Sequence, residues 1–454
     1  MPRELWLAAG FLSACCGVLY TLINAAQPSP YMDEVFHVPQ AQRYCSYDFS
    51  HWDLMITTPP GLYLTSVAVL APASWILGIE LEALCSVSLL RAQNVLISVA
   101  IFPLLYFLLL RIHGSTSTTT WAAVHSALNM ALFPVSFFFS FLYYTDIGST
   151  FLVLLGYALG LSGHTLLSAV VLTWSLWFRQ TNIIWVAFVA GVIGLQWVER
   201  EREREREGKQ MTKWAFLLGV VRDVPTLLRM LWPHVCSILL FLLFIVWNGS
   251  VALGDKTHHQ AGLHLPQLFY FFAFTCGFAA TAMLSQIELI ASFLKRFRDV
   301  NWIASFCILM IASLLAVHYF TYAHPYLLAD NRHYPFYVWK NVFQRHWIIK
   351  YLLTPIYSLC VLAVVHILLK IQTALWVLLY LFCVILVLVP QKLLEFRYFV
   401  FPYLLFRLHV PQPSWWGLVG ESVLHVAVTM VTVVLFVNYP FRWPGNDSLQ
   451  RFMW

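Results

Sequence analysis

Apolar stretches of about twenty residues recur along this chain from near its first residue almost to its end, each long enough to cross a hydrocarbon core of roughly 30 Å. A segment in lipid must satisfy its own backbone hydrogen bonds, so it is either a helix or part of a closed barrel. These runs lack the period-two alternation of barrel strands and read as helices. The pattern predicts them near 5–26, 90–110, 119–140, 147–163, 165–178, 181–197, 231–248, 265–284, 301–320, 348–369, 372–389, 396–410 and 415–437. Composition agrees, because 60% of the 454 residues are hydrophobic and only 11% are charged, against roughly 25% charged in soluble domains. A water-soluble globular fold is excluded. The first run is too long for the core of a cleaved signal peptide and reads as an uncleaved anchor. No repeat or linker divides the chain, so 1–454 is expected to form one all-α polytopic membrane domain.

Polar loops set the expected orientation. The run Glu199–Glu207, alternating Glu and Arg, with Lys209 and Lys213, reads as a solvated cytosolic loop over 198–230. Lys295, Arg296 and Arg298 form a second basic loop, Arg111 with His113 a third, and Lys370 a weak fourth. Placing all four in the cytosol, as basic loops prefer, sends 27–88, 249–264, 321–347 and 438–454 to the opposite face. That arrangement requires 61–80 to lie along the membrane surface, as its Pro59-Pro60-Gly61 start, Pro72, Glu80 and Glu82 suggest. The sequons at Asn248 and Asn446 then fall on the non-cytosolic side.

Several function classes drop out. The net charge of +6 is spread over loops, which is no footprint for nucleic acid. The nine cysteines include no C-x-x-C pair, so no zinc site is expected. His258, His259 and His264 lack acidic partners placed with them and read as an ordinary polar loop; no metal and no cofactor are expected. Cys45 and Cys85 flank the first polar stretch and could pair if it faces an oxidising compartment.

The chemistry-bearing residues cluster in the non-cytosolic stretches. Asp33 and Glu34 follow the first membrane helix and would sit at the membrane surface. Adjacent carboxylates point in different directions, so they suit one base and one orienting group rather than a paired acid and base; two solvated loop acids are the ordinary alternative. His37 follows in the same segment. Downstream, Asp53 beside Trp52 precedes Thr57 and Thr58 and the rigid Pro59-Pro60 turn, which can hold polar groups against a ligand. Arg179-Gln180-Thr181-Asn182 interrupts two apolar runs, and polar side chains at such depth have a buried partner or a function. Asp146 is a candidate partner for Arg179. Arg332, His333, Lys340 and Arg397 supply cations; for the lysine especially, snorkelling to lipid headgroups is the competing reading.

The segments PYMDEVFHVPQAQRYC, HWDLMITTPPGLYL, FRQTNIIW, LLADNRHYPFYVWK, VPQKLLEFRYFVFPY and the final QRFMW together resemble the dolichyl-phosphate-glucose-dependent alpha-1,2-glucosyltransferase family of the endoplasmic reticulum. The resemblance implies a fold of the GT-C class, with 12–13 transmembrane helices and a first luminal loop bearing interfacial helices. It implies transfer of the terminal glucose from dolichyl-phosphate glucose to the diglucosylated dolichyl-diphosphate-linked oligosaccharide of N-glycosylation. A beta-linked donor and an alpha-linked product imply inversion, which needs one base and no covalent intermediate. The resemblance places that base just after the first membrane helix, at Asp33 with Glu34 in reserve. Acceptor contacts are expected at His37, Asp53, Thr57 and Thr58. Donor phosphate and sugar contacts are expected at Arg332, His333, Lys340, Arg397 and Arg179, since arginine forks match phosphate oxygens. The expected partners are the two lipid-linked substrates and membrane lipid, with the active site facing the endoplasmic-reticulum lumen.

Two alternatives accompany this reading. A transporter or channel-associated subunit would carry its ionisable residues near mid-membrane, often within internal repeats; here they gather at one face. A related mannosyltransferase would share the Asp-Glu loop, and the residues alone do not separate glucose from mannose.

Overall fold

The computed structural model describes residues 3–114, 117–205, 213–256, 261–445 and 447–454. Lys209, His258, His259 and Asn446 lie outside the described residues. Among the described residues, seven helices are long and apolar enough to cross a membrane: Arg3–Ala26, Val87–His113, Gln180–Glu201, Asp223–Asn248, Val300–Phe320, Ile349–Ile371 and Trp415–Asn438. Gly61–Leu77, Thr145–Leu161, Thr165–Leu176 and Ala374–Leu388 are shorter apolar helices. The chain is a polytopic, helical membrane protein.

Each expected stretch is helical, but four are broken or shortened; 348–369 divides at Leu353 into Ile349–Leu352 and Thr354–Ile371. The stretch 119–140 splits into Ser117–Ala131 and Pro134–Phe139; Pro134 has no N–H to continue the first helix and is favoured at the first position of the second. The stretch 265–284 divides into Pro266–Phe278 and Ala280–Leu284. The stretch 396–410 becomes a tight turn, Phe396–Phe399, followed by Val400–Leu408. Nine residues rise only about 13 Å, too little to span a bilayer. This broken element brings Arg397 to the candidate site.

Small residues and buried polar pairs set the packing of the interior. Thr145–Leu161 packs along Thr165–Leu176, and Gly156 permits the approach, since a Cβ there would run into Leu172. Away from the site, Arg407 and Glu421 are both fully buried and form a bidentate pair at 2.7 and 2.8 Å. Asn129 adds a 3.0 Å bond to the same carboxylate, which ties Ser117–Ala131 to Trp415–Asn438.

Four segments expected on one face do meet at one end of the bundle. Leu253 N–H donates to Thr57 O at 3.1 Å, and Tyr31 hydroxyl donates to Arg451 O at 2.7 Å. Tyr334 N–H donates to Met453 O at 3.0 Å, and Met453 N–H to Arg332 O at 2.9 Å. Arg111, by contrast, donates to Leu161 O at 2.9 Å, and His113 bonds Leu408 O at 2.8 Å, at the other ends of their helices. The last residues depart from an all-helical chain: Phe441–Arg442 and Leu449–Gln450 pair as a short antiparallel ladder, Phe441 opposite Gln450.

The first polar stretch is braced at three points. Cys45, at the end of helix Glu34–Cys45, forms a disulfide with Cys85. Gly61 N–H donates to Trp177 O at 2.8 Å, and a Cβ at Gly61 would lie 2.5 Å from that oxygen, so the Pro-Pro-Gly turn can seat there only with glycine. Asn248 binds the carbonyls of Ser250 and Ala252, each at 2.8 Å, closing the turn that precedes Leu253.

Candidate active site

Asp33 ends the short connection from the first helix, and Glu34 begins the next. One residue of separation sends their carboxylates to different places. Glu34 is fully buried. Its oxygens receive Arg91 at 2.8 and 2.5 Å, Tyr31 N–H at 3.0 Å and Tyr143 N–H at 2.6 Å. Arg91, also fully buried, spends its remaining donors on Gln27 O, Ser29 O and Asn24. Glu34 lines neither of the two cavities described here.

Asp33 lines both. Its side chain is 44% exposed to them, and its backbone N–H is fixed by the Tyr144 hydroxyl at 3.1 Å. Its Oδ2 pairs with Arg397 Nη1 at 3.1 Å. Desolvation pushes the carboxyl up, but Arg397 and then His37 outweigh it and hold it below the usual carboxylate range. Asp33 is therefore an anion at neutral pH with one face open.

Arg397 is the hub of the first cavity, of about 490 Å³. It also pairs with Glu395 at 2.8 Å and lies 3.7 Å from Asp146 Oδ2. The rings of Phe139 and Tyr144 lie 5.1 and 5.3 Å from the guanidinium carbon, a cation–π setting that fixes its plane. Asp146 pairs through its other oxygen with Arg179 at 2.9 Å, so the expected Asp146–Arg179 partnership is present and belongs to the cavity wall. Asp146 Oδ2 itself is buried without a hydrogen bond.

His37, Thr57 and Thr58 line this same cavity. His37 Nδ1 shares a 2.5 Å hydrogen bond with Tyr63 hydroxyl. Burial lowers its pKa, only partly countered by Asp33, so the ring is neutral at neutral pH. Thr57 carbonyl accepts Gln180 Nε2 at 2.7 Å, clamping the loop to the Arg179–Asn182 turn. Thr58 hydroxyl is buried without a protein partner. Residues expected with the acceptor thus share a chamber with Arg397 and Arg179, expected with the donor. Asp53 stands outside, where its carboxylate accepts Met55 N–H at 2.9 Å and its own N–H meets Gln40 at 3.0 Å.

Arg332 lines the second cavity, of about 700 Å³, with Asp33 and the C-terminal segment. It holds Asp330 in a fork at 2.8 and 2.7 Å, binds Gln450 at 2.9 Å and lies 4.6 Å from the Trp443 ring. His333 bonds Trp454 carbonyl at 2.7 Å. Lys340 is exposed beside the Phe336 ring at 5.7 Å and lines neither cavity. His264 is buried, its backbone N–H bonded to Val389 O at 2.9 Å. The structure adds Arg91, Tyr144 and Glu395 to the sequence-derived set. Arg91 carried a signal, as a charge inside an apolar run; the other two carried none.

This geometry can be set beside known proteins. No solved structure matches the chain. A mouse Dol-P-Glc:Glc(2)Man(9)GlcNAc(2)-PP-Dol alpha-1,2-glucosyltransferase is 42% identical over 99% of this chain and 98% of its own length. A human protein of the same name is 41% identical with the same coverage, and one from Arabidopsis thaliana is 35% identical over 95% and 96%. The DIE2/ALG10 family model matches residues 27–408, which takes in Asp33, Asp146, Arg179, Arg332 and Arg397. Through that match and these end-to-end similarities, the chain belongs to the DIE2/ALG10 family.

Proposed function

We propose that this protein transfers glucose from dolichyl-phosphate glucose to the diglucosylated dolichyl-diphosphate-linked oligosaccharide, adding an alpha-1,2 linkage with inversion. Asp33 is the base. It takes the proton of the acceptor hydroxyl as that oxygen bonds the anomeric carbon. The carbon–oxygen bond to phosphate breaks, and its electron pair leaves with dolichyl phosphate. A phosphate ester is already a good leaving group, so cations rather than an acid catalyst serve the departure. Arg397 and Arg179 hold that phosphate, while His37, Thr57 and Thr58 in the same chamber face the donor sugar. Lys340, outside both cavities, has no part in this assignment, and Glu34 is the residue that anchors the loop.

The observation that carries the reading is the pairing of Asp33 with Arg397 at 3.1 Å on an open cavity wall. It also supports a coupling. The singly charged phosphodiester of the donor competes with Asp33 for Arg397, and the released carboxylate becomes a stronger base once the donor is bound. The Cys45–Cys85 disulfide supports placing this end of the bundle in an oxidising compartment, and we assign it to the endoplasmic-reticulum lumen.

The test is direct. Purified protein receives dolichyl-phosphate glucose and the diglucosylated acceptor, and the products are compared with those from Asp33→Asn. The wild type yields a triglucosylated product and Asp33→Asn does not. Failure of the wild type sinks the function, whereas full activity in Asp33→Asn sinks only the base assignment.

A further inference from the structure

The two cavities share only Asp33 and Phe36 among their lining residues. Asp33 is thus part of a partition, with a chamber on each side. The chambers differ in kind. The first contains the Arg397 and Arg179 cations, and its floor is apolar: Trp185, Val387 and Phe401, from three helical elements. A floor of this kind suits a lipid tail running from a phosphate into the bilayer.

The second chamber lies between the 26–36 connection and the C-terminal residues 448–451. Its cations are held by protein partners, as Arg397 and Arg179 are in the first, so the chambers differ in access and in their apolar lining rather than in free charge. Arg332 grips Asp330, and Arg451 donates to Phe436 O, Gln27 and Ala26 O. Its rim is exposed, with Val35 at 52% and Leu449 at 45%, and Ser448 beside them is also exposed. A volume of about 700 Å³ falls within the 300–1,000 Å³ range of small-ligand sites. A neutral, hydroxyl-rich ligand entering from solvent fits it better than a lipid phosphate does.

We propose that the second chamber is the acceptor subsite, receiving the two terminal glucose units of the oligosaccharide arm, and that Ser448 and Val35 at its rim determine how well that arm is held. The inference rests on the function proposed above and assigns its two substrates to separate chambers. In-line displacement requires the attacking hydroxyl and the leaving phosphate on opposite faces of the anomeric carbon. A base on the wall between two chambers satisfies that requirement. The carboxylate touches the hydroxyl arriving from one chamber while the phosphate rests against Arg397 in the other.

The experiment measures KM for each substrate separately in Ser448→Trp and Val35→Trp. Both positions are exposed, so an indole there obstructs the chamber; Ser448→Trp also loses a 2.6 Å bond from Gln450, which Val35→Trp keeps. The acceptor KM is expected to rise roughly tenfold, with donor KM changing by less than about twofold and kcat little altered at saturation. Arg179→Gln, in the other chamber, should instead raise donor KM and lower kcat, with acceptor KM changing by less than about twofold. A rise in donor KM with unchanged acceptor KM in the two rim variants would place the substrates the other way round. Unchanged values for both substrates would refute the subsite. A wild-type enzyme that transfers no glucose fails the parent reading instead, and an active wild type with an unmoved acceptor KM in both variants fails only this one.

Discussion

Glu34 and Arg91, 57 positions apart, meet in a fully buried fork at 2.8 and 2.5 Å. This pair anchors the chain beside Asp33, whose own N–H and carboxylate are held separately by Tyr144 and Arg397. Breaking a buried pair by removing one partner leaves an uncompensated charge, typically costing about 3–5 kcal/mol. Arg91→Leu should therefore lower the unfolding temperature sharply in detergent. Glu34→Gln should lower it too, while the folded fraction keeps most of its turnover. Loss of turnover at unchanged stability in Glu34→Gln would mean that Glu34 takes part in the chemistry.

The pH profile should report Asp33. The base acts ionised, and its carboxyl is held below the ordinary range, chiefly by Arg397 acting against desolvation. Activity should persist as pH falls and be lost only below the usual carboxylate value of about 3.9. Arg397→Gln removes that cation, so the acidic limb of kcat/KM should move to higher pH, with kcat falling by roughly 10²–10³ as phosphate stabilisation is lost. In the wild type, the limb in kcat should lie above that in kcat/KM, since the former reads the donor-bound enzyme. A limb that moves to lower pH in Arg397→Gln would contradict the assignment.

Thr58 offers a contrast. Its hydroxyl is buried without a protein partner, and removing such a group costs little or even stabilises. Thr58→Val should leave the unfolding temperature unchanged or slightly raised, while donor KM rises by roughly tenfold. An unchanged donor KM would show that the hydroxyl meets no substrate.

The Cys45–Cys85 disulfide closes a loop of 40 positions around the first polar stretch. Bridges of that kind typically contribute about 2–5 kcal/mol. Cys45→Ala, or a reductant, should lower the unfolding temperature, and alkylation of unreduced protein should leave Cys45 and Cys85 unmodified. Full labelling of both under native conditions would rule out the bond.

Much of the fold was legible because apolar runs in a membrane protein have few alternatives. The breaks were less so. Pro134 announces itself, and Pro402 marks the first turn of Val400–Leu408, but the division near Ala279 follows no proline. At the site, the sequence brought forward Asp33, Arg179 and Arg397 because charge next to lipid demands a reason. It could not divide Asp33 from Glu34. That distinction depends on Arg91, and a contact between residues 57 apart leaves no periodic trace. The sequence set Thr58 with the acceptor and Arg332 with the donor, whereas Thr58 lines the chamber of Arg397 and Arg332 lines the other. Their neighbours Gln180 and Gln450 decide the matter, one bonding the adjacent Thr57 carbonyl and the other Arg332 itself.

The residues at 449–454 grip Tyr31, Arg332 and His333 at once. Two loops made about 300 residues apart thus depend for their final placement on the part of the chain that leaves the ribosome after both. Membrane insertion can be complete while the enzyme is still unfinished. Its competence should appear late, as a latch closing, and a chain cut just short of that latch should insert normally yet stay silent.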